Sequence, residues 1–92
     1  MIVNNLKMHI NAGDEVVVSK EFFKDKSLPI EKRIFICDGN GFGTDSFTHG
    51  SAIFGKWKDG SGDDRIEGDM IDVEETKQFC PETRKRMIVE KV

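Results

Sequence analysis

The stretches "SAIFGKWK" and "RIEG" are joined by "DGSGDD", residues 59–64, where Asp59-Gly60 and Ser61-Gly62 are turn dipeptides between two segments of alternating polarity. Alternation sends successive side chains to opposite faces of a pleated strand, and glycine supplies the backbone angles of a tight reversal. A β-hairpin is therefore the unit that local chemistry dictates most strongly, and any fold must be built around it. Ile53, Gly55 and Trp57 fall on one face, and Ala52, Phe54, Lys56 and Lys58 on the other. Both faces carry an apolar residue near Phe54, so that end of the strand is expected to be covered on two sides, with Ile53 and Phe54 in the core.

Other segments read as strands or as irregular chain. Val16 to Ser19 is β-branched and follows a Gly-Asp turn, "RIFIC" is an apolar run suited to the centre of a sheet, and "RMIVEKV" alternates as a last strand. "EFFKDKSLPIEK" contains Pro29 and has mixed polarity, which suits a long excursion. Pro81 stops any helix that "VEETKQF" would begin, and no segment has a long helical period. The expectation is one all-β domain over residues 1–92: a small SH3-like barrel opened by "AGDEVVV", or a strongly bent antiparallel sheet of five to six strands, the alternative being favoured if the chain dimerises.

Composition narrows the function classes. A net charge of −3 argues against general nucleic-acid binding, because phosphate neutralisation needs a basic face. The acids are concentrated: Asp59 to Glu75 holds eight of them against Arg65 alone, −7 in seventeen residues. No apolar run approaches a membrane span, and the start "MIVNNLKMH" lacks the pattern of a signal peptide, so a cytoplasmic setting without membrane contact is expected. Cys37 and Cys80, with no Cys-x-x-Cys spacing, read as buried free thiols.

Motifs for metal and phosphate chemistry fail on inspection. From Asp38, "DGNGFGTDSFTH" matches a calcium loop at Asn40 and Gly43 but has Phe42 and His49 where oxygen ligands belong, and "DGSGDDRIEGDM" puts Asp64 at the required glycine. Gly39, Gly41 and Thr44 break the dinucleotide fingerprint at its last glycine. Cys37 with His49 or His9 offers a nucleophile and base, but no orienting group or oxyanion site accompanies them. Neither metal nor cofactor is expected, and the chain reads as non-enzymatic.

The segment Cys37 to Gly55 is the least ordinary, with five glycines beside Phe42, Phe47, Ile53 and Phe54. Glycines permit close backbone approach to a ligand, successive N–H groups can cradle an anion, and aromatic faces can stack on bases. Thr44, Ser46, Thr48 and Ser51 add hydroxyl donors.

The pattern "GFGTDSFTHGSAIFGKW…DG…RIEG" resembles a family of small, mostly uncharacterised proteins of bacteriophages and other mobile elements of bacteria. The likeness runs over roughly residues 33–72 and is carried chiefly by the F-T-x-G-x-A-I-F-G core. It implies a context rather than a reaction: an accessory protein acting on host machinery inside the bacterial cytoplasm. Two expectations follow. In the first, a homo-oligomeric sponge sequesters a small nucleotide signal of host defence through Arg33, Asn40, Gly41, Phe42, Gly43, Thr44, Ser46, Thr48, His49, Lys56 and Trp57. In the second, Asp59, Asp63, Asp64, Glu67, Asp69 and Asp72 on an acidic hairpin over residues 59–75 imitate nucleic-acid phosphates and inhibit a host nuclease or defence protein. An SH3-like adaptor or regulatory accessory factor is the third reading.

Overall fold

A computed structural model describes residues 4–9, 13–39, 46–48, 52–85 and 87–91, with side chains over 13–38 and 52–85. In chain order its elements are β1 (Asn4–His9), β2 (Asp14–Val17), β3 (Ile34–Gly39), β4 (Ser46–Thr48), β5 (Ala52–Trp57), β6 (Asp63–Glu67), α1 (Val73–Phe79), α2 (Pro81–Arg84) and β7 (Met87–Lys91). The strands form two antiparallel sheets, one ordered β2-β3-β5-β6 and the other β4-β1-β7.

The hairpin forms as its turn residues require. Lys56 pairs with Asp63 and Ala52 with Glu67, while Gly60 and Gly62 take the positive φ values of 86° and 131°. "RIFIC" becomes β3, flanked by β2 and β5, and the Gly-Asp turn holds Gly13 at φ 97° ahead of β2. Along β2 and just beyond it, Val16 and Val18 join Phe35, Ile53, Ile66 and Ile71 in the main core, whereas Val17 points the other way to meet Ile34 and Cys80. A strand covered on both faces needs an apolar run, which the triplet Val16 to Val18 supplies.

The fold is mostly sheet, but four expectations are corrected. It is not all-β: "VEETKQF" is α1. Asp72 caps that helix by accepting from Glu75 N at 2.9 Å, Val73 and Thr76 bury one side of it, and Pro81 then opens α2 at its first turn. A seven-residue helix is too short to stand alone, so its contacts with β2 decide it. The described strands number seven rather than five or six. Nor do they close a barrel: the ends of the four-stranded sheet meet only at the Val18–Ile71 bridge, reinforced by Ser19 N to Met70 O at 2.8 Å and Asp72 N to Val17 O at 2.9 Å.

Phe54 is the fourth correction. Its side chain is 46% exposed, because it points away from Ile53 and no described element covers that face beside Arg65. Phe47 lies on β4, where side chains are outside the described residues.

Both edges of the four-stranded sheet are occupied by side chains. On β2, Val17 N donates to Thr76 Oγ1 at 3.0 Å and Thr83 Oγ1 donates to Glu15 O at 2.6 Å. On β6, Arg65 N donates to Asp64 Oδ1 at 2.7 Å and Glu67 N approaches Met70 Sδ at 3.4 Å. Occupied edges discourage pairing with another strand.

Candidate functional site

The excursion between β2 and β3 is a structured loop. Two short 3-10 turns, Lys20–Phe22 and Ile30–Lys32, punctuate it, and Asp25 Oδ1 accepts from Ser27 N and Ser27 Oγ at 2.9 and 2.6 Å. Arg33 ties the loop down at its end: its Nε donates to Leu28 O at 3.1 Å and one terminal nitrogen donates to Val18 O at 2.9 Å. The guanidinium also pairs with both oxygens of Glu75 on α1, at 2.8 and 3.1 Å. This partner holds the Glu75 carboxyl below its ordinary range, whereas burial raises that of Asp72 beside it.

Trp57, at the end of β5, is where this loop meets the hairpin. Its ring packs edge to face on Phe35 of the core at 5.0 Å and on Phe23 of the loop at 5.5 Å, and its Nε1 donates to Asp64 Oδ2 at 3.0 Å. Between loop and hairpin lies a cavity of about 480 Å³. Phe22, Phe23, Leu28, Trp57, Ile66 and Met70 give it apolar walls, and Lys32, Asp59, Asp64 and Arg65 give it a charged rim. Phe22 is 46% exposed there. The arrangement suits an occupant with apolar side chains and a polar backbone. A smaller cleft of about 230 Å³ lies by Phe79, Cys80 and Pro81, with Asp14, Glu15 and Glu82 around it.

Among the described residues expected to bind a nucleotide, only Trp57 lines this cavity. Arg33 is 3% exposed and spent on Glu75 and two carbonyls, so the expectation that it balances a ligand's charge is corrected. Lys56 is exposed but stands one residue from Trp57 on the opposite face of β5. Ser46 and Thr48 lie on β4, opposite His9 and Lys7, in the other sheet. Asn40, Gly41, Phe42, Gly43, Thr44 and His49 are outside the described residues.

The acids expected to form one hairpin surface belong to several elements. Asp59, Asp63 and Asp64 sit at the hairpin turn and are exposed, and Glu67 ends β6. Asp69 is in the 3-10 turn Gly68–Met70, and Asp72 is committed to capping α1. Among the described residues, no three His, Cys, Asp or Glu side chains converge as metal ligands would. Cys37 and Cys80 are free and buried, as expected; burial pushes the Cys37 thiol up to about 12 and that of Cys80 to about 11. A neutral, enclosed thiol makes Cys37 a poor nucleophile.

Sequence reasoning missed Phe22, Phe23, Leu28, Lys32 and Met70. The one available signal was the adjacent pair Phe22-Phe23 within an otherwise polar, proline-containing stretch, which neither alternation nor a helical period explains. No helix among the described residues is long and apolar enough to cross a membrane. Compared with known proteins, the chain matches no family model, no curated protein and no solved structure, so its functional reading rests on its own residues.

Proposed function

We propose that the chain is a non-enzymatic recognition domain that receives an extended segment of a partner polypeptide in the groove between the Ser19–Arg33 loop and the β5–β6 hairpin. The observation that carries this reading is the concentration of Phe22, Phe23, Leu28 and Trp57 around one open cavity of about 480 Å³. Aromatic grooves hold extended peptides because their faces pack on apolar side chains while the rim bonds to the backbone. Addition of a strand to the sheet is the competing mode of peptide recognition, and the occupied edges of β2 and β6 disfavour it.

In the phage or mobile-element setting proposed for the chain, the partner is a bacterial host protein met in the cytoplasm. Of the three readings, an adaptor is the one that a peptide groove suits. The nucleotide-sponge and homo-oligomer reading depends on residues 40–44 and 49 and loses Arg33.

A comparative pull-down from bacterial lysate tests the proposal, with chemical cross-links mapped to the captured protein. A partner held by the wild type, lost on Phe22→Ser, and cross-linked to the loop supports it. A partner indifferent to Phe22→Ser removes it, and a nucleotide-sized mass on the purified protein in native mass spectrometry would favour the sponge instead.

A further inference from the structure

The groove's apolar walls and its carboxylates occupy the same place. Phe23 and Trp57 meet at an interplanar angle of 64°, making a corner of ring faces and edges, and half-exposed Phe22 lines the same cavity. Asp59 and Asp64 belong to the adjoining hairpin wall. Asp59 Oδ1 accepts from Ser61 N at 2.9 Å, while Asp64 accepts one bond at each oxygen, from Trp57 Nε1 and from Arg65 N. A carboxylate offers about four acceptor positions, so each retains capacity for a ligand.

Two cations share the rim. Arg65 is drawn toward Glu67, at 3.9 Å, and Lys32 lines the same cavity as Asp59, from the loop wall. Lys32 is thus the resident competitor for any cation that enters. Ring faces attract ammonium and guanidinium groups, and a neighbouring carboxylate adds to that attraction.

We infer that the groove takes a cationic side chain of the partner segment, the guanidinium of an arginine or the ammonium of a lysine, between the aromatic corner and the carboxylates of Asp59 and Asp64. This rests on the peptide-binding reading of the same groove and narrows it to a basic segment. Asp64 serves twice, orienting the indole of Trp57 and presenting charge to the ligand.

Selection from a random dodecapeptide library on the full chain tests this, with Phe22→Ser and Leu28→Ser as groove controls and circular dichroism to verify that both fold. The expected result is a set of groove-dependent peptides bearing arginine or lysine. In these, replacing arginine by citrulline, or lysine by norleucine, costs roughly tenfold in affinity. Asp59→Asn should weaken the same peptides severalfold, and Lys32→Gln should tighten them. Groove-dependent peptides without a basic residue, or with less than a twofold response to its neutralisation, overturn the inference and leave the peptide groove standing. Failure of both groove controls to affect any selected peptide overturns the two together.

Discussion

Arg33 and Glu75, 42 positions apart, are joined by two parallel hydrogen bonds of 2.8 and 3.1 Å that pin the end of the groove-forming loop to α1. The Arg33 side chain is 4% exposed and that of Glu75 29% exposed, so removal of the guanidinium strands two backbone carbonyls and a half-buried carboxylate. Breaking such a pair by removing one partner costs about 3 kcal/mol. Arg33→Met, which keeps the stem, should lose about that much in urea denaturation; a loss below about 1 kcal/mol would mean the latch contributes little.

The same pair sets a pH dependence. Because Arg33 depresses the Glu75 carboxyl, Glu75 contributes stability that is present above its unfolded pKa, near 4.5, and is lost as pH falls through the lower folded value. Asp72 is raised by burial and acts oppositely: its contribution is full below its unfolded value, near 3.8, and is lost as pH rises through the folded one. The stability gap between wild type and Glu75→Gln isolates the first effect. It should be constant near pH 6 and shrink below about pH 4.5; a gap that persists unchanged to pH 3 contradicts the assignment.

Thr76 completes the covered edge of β2. Its hydroxyl accepts from Val17 N at 3.0 Å and donates to Asp72 O at 2.7 Å, in a position with no exposure. Thr76→Val preserves shape and leaves a buried N–H unpaired, which costs about 1–3 kcal/mol, whereas Thr76→Ser keeps the hydroxyl. Thermal unfolding should therefore rank wild type, then Ser, then Val. Equal melting of Ser and Val variants would assign the effect to packing alone.

Gly55 lies at a close approach of β5 to the backbone of β3. A Cβ at this position would collide with the carbonyl oxygen of Ile36, and the ring of Phe35 lies 3.0 Å away. Gly55→Ala should then destabilise by more than about 1–3 kcal/mol, the usual range for overpacking a core, because backbone rather than a flexible side chain must move. Recovery of a wild-type urea midpoint in this variant would show that β3 and β5 separate easily.

Trp57 reports on the groove directly, since it is the chain's only tryptophan. Asp64→Ala removes the acceptor of its indole N–H and should cost about 1 kcal/mol together with a change in fluorescence emission. Asp64→Asn retains an acceptor oxygen and should preserve the wild-type spectrum. Identical spectra for all three proteins would mean that Phe23 and Phe35 alone orient the ring.

The sequence by itself determined the β5–β6 hairpin, the central place of β3 and the turn before β2, because period-two alternation and glycine turn chemistry act between near neighbours. Which face of β3 takes Cys37 was not legible, because the run Ile34 to Cys37 is apolar throughout; its place in the core with Phe35 and Ile53 was decided by packing. Tertiary structure decided what depends on distant partners. Arg33 looked like a free cation until Glu75 reached it across 42 positions, and "VEETKQF" became a helix because β2 offered an edge for Thr76 to cover. Phe23 acquired a role only when the hairpin brought Trp57 to it. A groove is made of surfaces from separate segments, so its residues share no local period by which they could be recognised; they are related only by the packing that brings loop and hairpin together.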